Sequence, residues 1–376
     1  MEKPKVIIET FPRLQEALDK IGPLEKLIPP GAKILIKPNL CVPKESGTGA
    51  VTHHQVVVAL VELLKPITNK IYVGDSPFAG FSGMGNLRAS GMLEAVEKAG
   101  AIPVDLNATG RVTLQVPGGK VMKHLVVSQA VAEADFIINV PVMKTHVKTL
   151  VSLGLKNMKG IVPGALKHEP HKKGLDQGIV DYHKVMPPHL TVVDATFAME
   201  GNGPVNGQAR ELGLVIAGQN TVAVDTVCCH IMGINPEEVE HLRLAAQEGM
   251  GPLNLAAIDV EGLSQDRKFS FSLPGTYKSG IFNFMSRFEA TGTKIMEGMA
   301  KVTFDYEKCT QCQKCVVGCP TEAISLRQDN YPVIDYDKCI ECLCCMETCM
   351  YDAIYIKGPT FSSLSFGVVE KLWKPK

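Results

Sequence analysis

Eight of the chain's twelve cysteines fall into two runs of one spacing. Cys309, Cys312, Cys315 and Cys319 read C-x2-C-x2-C-x3-C, and Cys339, Cys342, Cys345 and Cys349 repeat it. This is the bacterial ferredoxin pattern, in which each run gives three thiolates to one 4Fe–4S cluster and its fourth to the other. The spacing predicts one cluster on Cys309, Cys312, Cys315 and Cys349, and a second on Cys339, Cys342, Cys345 and Cys319. A tight loop of this length wraps a compact cluster and turns backbone N–H groups toward its sulfurs, which stabilises the anionic core. The flanks repeat as well: "KVTFDYEKC" and "YPVIDYDKC" precede the runs, and "TEAISL" and "YDAIYI" follow them. The unit therefore reads as a duplication with pseudo-twofold symmetry. The competing reading is two zinc sites, but zinc sites usually draw on two separated pairs of donors. Met350 departs from the pattern where the first run has Pro320, and Cys344 is an extra thiol, read as a non-ligand because Cys345 keeps the spacing.

Composition narrows what the rest of the chain does. Of its 376 residues 45% are apolar and 21% charged, enough to bury a large core. Lys plus Arg equals Asp plus Glu at 39 each, so there is no basic surplus of the kind nucleic acid requires. No export signal precedes the cysteines and no apolar run approaches the roughly 18–20 residues of a membrane helix. A cytoplasmic, metal-binding use of the thiols is expected rather than a disulfide framework.

Residues 1–263 alternate short β-branched runs with helical stretches. "KILIKPNL", "KIYVGDSP", "AIPVDL", "DFIINVPVM", "LTVVDATFAM" and "LGLVIAGQ" are strand candidates, with helical patterns such as "THHQVVVALVELLKPI" and "TVAVDTVCCHIMG" between them. This order predicts an α/β body with a largely parallel sheet flanked by helices, followed by a small α+β dicluster ferredoxin domain. The expected division is a body at 1–263, a connector with a helix at 264–300, the ferredoxin domain at 301–358, and a tail at 359–376 that docks back through the chain's one Trp.

Polar residues collect where the strands end. Lys37 and Asn39, Asp75 and Ser76, Lys144 and His146, and Asp194 all close strand candidates. Open α/β sheets bind ligands outside the carboxyl ends of their strands. "KTHVKTLVSLGLKNMKG" adds Lys156, Asn157 and Lys159, and several ammonium groups near N–H donors make an anion site. Lys37, Asn39, Ser76, Lys156, Asn157 and Lys159 are the expected anion-binding residues, and Lys144, His146, His168, Asp75 and Asp194 the expected catalytic ones. In that reading His146 or His168 supplies a proton, while Asp75 and Asp194 orient it or bind a cation. His168, His171, His183 and His189, with Asp176 and Asp181, offer metal donors, a general acid or a surface loop, in no compact zinc spacing. Cys228 and Cys229 read as small core residues, His53 and His54 as helix-opening residues, and Cys41 as the one non-cluster thiol near the expected mouth. "GFSGMGNLRASG" has Arg88 where a third glycine would stand, and no G-x-x-x-x-G-K-[ST] occurs, so neither a nicotinamide cofactor nor ATP is supported. Flavin or another organic cofactor stays open, without a motif behind it.

"ILIKPNL", "GDSP", "INVPVMKTH", "LGLKNMKGIVPG", "VVDATFAMEGNGP" and "AVDTVCCHIMG", in this order, resemble the domain-of-unknown-function 362 family over roughly residues 5–262. The resemblance implies the α/β body and, with the thiol runs, one of the family's iron–sulfur cluster-binding proteins. Lys37, Asn39, Asp75, Lys144, His146, Lys156, Asn157 and Asp225 match its signature positions, but it implies no substrate. Val142 and Met143 stand where that pattern more usually has Lys-Leu.

The expectation for the whole is an iron–sulfur redox protein. It passes electrons between a donor or acceptor protein and a site on the body that holds a small anionic molecule. The competing expectation is a ferredoxin-like carrier whose body only docks a partner or effector. Neither involves nucleic acid or a membrane, and the oligomeric state is left unspecified.

Overall fold

A computed structural model describes residues 2–262, 268–277 and 301–357. Among the described residues the body carries twelve strands. These are β1 Lys5–Thr10, β2 Ile34–Pro38, β3 Ile71–Asp75, β4 Ile102–Asp105, β5 Arg111–Gln115, β6 His124–Ser128, β7 Phe136–Val140, β8 Val142–His146, β9 Leu150–Ser152, β10 Leu190–Glu200, β11 Gln208–Gly218 and β12 Asp259–Gly262. The main sheet runs β12-β1-β11-β10-β7-β2-β3-β4, with β8 leaving β10 to pair with β9. β2, β3, β4, β7 and β10 are mutually parallel, and β11 is antiparallel to both β1 and β10. The largely parallel sheet expected from the sequence is therefore present. "DFIINVPVM" is two strands rather than one, because the chain breaks at Pro141, which has no N–H to give a ladder.

β2, β7 and β8 are buried at every residue, as strands covered on both faces must be. The covering helices show why they form. In His54–Leu64 the buried residues are Val56, Val57, Leu60, Val61 and Leu64, one apolar stripe at helical spacing. His53 caps that helix by accepting from the Gln55 N–H, as its place before the helix suggested. Cys228 and Cys229 lie fully buried in the helix Thr221–Met232, within the apolar core.

From β2 the chain steps outward through β3 to β4, then returns to lay β7 on the other edge of β2. That reversal opens a crevice at the carboxyl ends of β2 and β7, where Lys37 pairs in register with Asn139.

The C-terminal unit is built twice. β13 Lys301–Phe304 pairs antiparallel with β16 Ile354–Lys357, and β14 Ile324–Leu326 with β15 Pro332–Ile334. Left-handed residues recur 30 positions apart: Gln311 and Glu341, Gln313 and Leu343, Glu322 and Asp352. Non-glycine residues adopt this conformation at a cost, so the matching offsets are strong evidence that the two thiol loops share one backbone shape.

The expected connector falls partly outside the described residues, as do its helix and the Trp-bearing tail. Its residues 268–277 lie along the body. The Phe269 and Phe271 N–H groups donate to Ile231 and Met232 carbonyls, and Ser272 and Gly275 donate to Glu200 and Asn202. No helix among the described residues is long and apolar enough to cross a membrane.

Candidate functional site

The crevice contains a narrow cavity lined by Lys37, Lys144, Lys156, Lys159 and Lys167, with Asp75 as the one carboxylate in its wall. Each group is held by a specific partner. The Lys37 ammonium sits 2.8 Å from Asp75 Oδ1, and Asp75 Oδ2 accepts from the Leu40 N–H at 2.8 Å. Asn157 spans β2 and β7: its Oδ1 accepts from Lys37 Nζ and Asn39 Nδ2, and its amide donates to Asn139 Oδ1. Lys144 donates to Asn39 Oδ1 and Ala50 O, both at 2.7 Å, and stands 3.7 Å from Cys41 Sγ. Gly160 passes so close that a Cβ there would press into Asp75 and come within 2.7 Å of Lys37 Nζ, so only glycine fits.

Burial pushes the Lys37, Lys144 and Lys159 ammonium groups below their ordinary range. Lys167 is the extreme case, pushed down to about 7 by burial, although Ser76 O, Ser76 Oγ and Pro77 O all accept from it within 2.7 Å. Sequence reasoning passed over Lys167. The available signal was a lysine in "GALKHEP", just past the lysine-rich segment.

The thiols form two separate sets. One cavity is lined by Cys309, Cys312, Cys315 and Cys349, and another by Cys319, Cys339, Cys342 and Cys345. Each set combines three thiols of one run with the fourth of the other. That crossed arrangement suits 4Fe–4S clusters of the ferredoxin kind and not a zinc site made from one run. Cys344 lines neither cavity.

The two units meet at the lysine cavity. The helix Cys344–Thr348 carries Glu347, only 2% exposed, whose Oε1 lies 3.4 Å from His146 Nε2. Burial alone would raise the Glu347 carboxyl, but Lys156 and His146 outweigh it and hold the group well below the usual carboxylate range. In the first run the equivalent position is Val317, so the departure from the repeat was the available signal, and it went unread. Around this contact Lys148 Nζ donates to Glu341 O, Asn206 donates to Cys349 O at 2.7 Å, and Lys314 donates to Gly80 O. Val147 joins the ferredoxin core, and Met350 packs with Cys41, Val42, Phe78, Phe81 and Val205. The Pro-to-Met departure thus supplies an apolar anchor on the body.

Not every expected site residue arrives. Lys37, Asn39, Asp75, Ser76, Lys144, Lys156, Asn157 and Lys159 line the cavity together. Asp194 does not: it accepts from the His53 N–H and from both Thr196 donors, which makes it a bracket for the helix start. His146 Nδ1 accepts from the Lys148 and Thr149 N–H groups, leaving Nε2 toward Lys156, 2.5 Å away, and toward Glu347. Burial and nearby lysines push His146 and His168 to about 4, so neither stores a proton at neutral pH as the sequence reading expected. The histidine-rich stretch forms no common metal site. His189 stacks on Phe136 and accepts from Ile137, Asp181 accepts from the Val121 and Met122 N–H groups, and Asp176 meets His241. His171 of that set reaches the interface, beside Cys342 and Cys344, with its Nε2 against the Lys159 ammonium. Asp225, another signature position, accepts from the Gly154 and Leu155 N–H groups and so braces the turn that leads to Asn157.

A mostly parallel α/β body joined to a twice-built ferredoxin-type unit defines an iron–sulfur protein with electron-transfer capacity. Residues 34–230 match the family described as domain of unknown function DUF362, and residues 308–353 match the 4Fe-4S dicluster domain. The chain belongs to the DUF362 family. A thylakoid-associated protein of Synechocystis sp. is 31% identical over 307 residues, which span 76% of this chain and 94% of that protein. Among solved structures, the lactate racemase apoprotein from Thermoanaerobacterium thermosaccharolyticum is 14% identical with a TM-score of 0.41, over 61% of this chain and 57% of that one. A Thermotoga maritima protein is 14% identical with a TM-score of 0.36, over 62% and 58%. The chain therefore spans less than two thirds of either.

Proposed function

We propose that this protein carries two 4Fe–4S clusters and exchanges electrons between an external protein and a small anionic molecule held in the lysine cavity. The observation that carries the reading is Glu347. It sits between Cys345 and Cys349, one thiol of each cavity, and reaches the histidine and lysines at the crevice. Such clusters supply one-electron transfer at low potential when bound. Cys312 of the first quartet is exposed, whereas Cys342 of the second lies within 4.8 Å of the body's His171, so the first quartet would face a partner protein and the second the cavity. Lys156 and Lys159 hold the anion, and the buried walls keep their charges effective. Lys167, rather than His146 or His168, supplies the proton, because its affinity lies near neutrality and it lines the same cavity.

Under anoxia, the reduced protein should be reoxidised by small carboxylate- or phosphate-bearing acceptors. Lys156→Met should slow this by about tenfold, the effect of losing one charge-assisted hydrogen bond. Reoxidation by a ferredoxin-type protein should be unchanged. If Lys156→Met leaves every small acceptor unaffected, the chain is a carrier and the cavity is not its substrate site.

Sulfate, whose charge is constant near neutrality, probes Lys167. Below about 7 the Lys167 ammonium is charged and above it neutral. Calorimetry should therefore find sulfate bound more tightly at about pH 6 than at about pH 8. Lys167→Met should flatten that profile, and an unchanged profile in the variant would remove Lys167 from the site.

A further inference from the structure

Cys344 is the thiol of the second run that serves neither cavity, yet it is only 5% exposed. Its Sγ, the Sγ of Cys342 and a ring nitrogen of His171 all lie within 4.8 Å of one another. His171 comes from the opposite unit, on the helix Glu169–Lys173 of the body. Its Nε2 meets the Lys159 ammonium, and its Nδ1 is buried without a hydrogen-bond partner. An unpaired buried ring nitrogen carries a desolvation cost that simple packing does not offset. Packing explains a buried Cys344, since free cysteine is a good small core residue. It does not explain an orphaned imidazole from another unit beside two sulfurs.

We propose that His171, Cys342 and Cys344 form a further metal site, holding one thiophilic transition-metal ion at the seam between the ferredoxin unit and the body. Two thiolates and an imidazole are the donor set that borderline-soft ions such as Zn2+ favour, over the oxygen-seeking Mg2+ or Ca2+. The Cys344 thiolate and the thiolate that Cys342 shares with the second quartet would face the ion, and Lys159 and Glu347 nearby offset each other. Cys342 also lines the second thiol cavity, and a thiolate sulfur keeps lone pairs after binding one iron, so it can bridge to a second metal. Lys159 lines the anion cavity and touches His171, so the metal site would adjoin that cavity. The inference rests on the cluster reading only through the shared sulfur of Cys342.

The test uses the full chain, purified anoxically with its iron and sulfide, incubated with Zn2+ and desalted. One zinc per chain is expected, with mixed sulfur and nitrogen ligation at the zinc X-ray edge and Zn–S near about 2.3 Å. Cys344→Ala and His171→Ala should each lose most of the zinc and keep the iron. His171 lies in the body, so that variant stays informative if the thiol variant folds poorly. Absence of zinc in the unaltered protein, or full zinc in His171→Ala, overturns the proposal. Loss of iron from Cys344→Ala with zinc retained in His171→Ala also overturns it, by making Cys344 a cluster ligand. Iron and zinc are counted separately, so failure of the cluster reading shows as missing iron, whatever the zinc does.

Discussion

Alanine at Cys319 is expected to cost the protein about half of its iron, the share of one of two 4Fe–4S clusters. The surprise lies in which partner shares the loss. Cys319 belongs to the first run but lines the cavity of Cys339, Cys342 and Cys345. Cys319→Ala combined with Cys345→Ala should therefore lose no more iron than either alone, because both strike one set. Cys319→Ala with Cys315→Ala, two thiols of a single run, should lose nearly all of it. Non-additivity in the first pair and additivity in the second are the signature of shared and separate sites. Iron and sulfide per chain decide the matter. If the within-run pair behaves as one site, the thiols work run by run and the crossed assignment is wrong.

Lys37→Met should be the most destabilising change in the body, by about 3–5 kcal/mol, because it leaves a buried charge without its partner. Lys37 is fully buried, and its ammonium donates to Pro38 O and Asn157 as well as pairing with Asp75. Without it, the Asp75 carboxylate keeps the Leu40 and Ser76 N–H donors but loses its direct ion pair, leaving only the other lysines of the cavity wall. Adding Asp75→Asn to Lys37→Met should recover part of the loss, since the remaining group is then neutral. Urea midpoints of the single and double variants measure both terms. A loss below about 1 kcal/mol would mean that water in the adjoining cavity screens Asp75 and that the pair is no structural keystone.

Much of this was legible in the chain itself, for physical reasons. Thiol ligands of a cluster are set by local spacing, so both quartets are readable residue by residue. Strand-end residues are legible for a related reason: parallel strands all point their carboxyl ends to one edge. Lys37, Asn39, Asp75 and Lys144 accordingly meet at one cavity, joined by Lys156, Asn157 and Lys159 from the helical turns after β9. Asp194 followed the same rule and still missed, because the His53 N–H at a distant helix start and the two Thr196 donors take up its carboxylate oxygens. Glu347 went unread, and His171 was named as a donor but not placed at the seam, for another reason. Their roles come from one unit docking on another, and no periodicity within either unit encodes that surface. The protonation states were equally illegible. Whether an imidazole or an amine titrates near neutrality depends on burial and on neighbours hundreds of residues away.

The short helix that bears Glu347 is tethered at its two ends by Cys345 and Cys349, which line different cavities. Its carboxylate is therefore a stopper hung from two anchors. With clusters held as proposed, losing either one frees an end of this helix, so the place of Glu347 against His146 depends on both quartets. A chain loaded in one quartet alone is then expected to hold Glu347 less firmly against the body.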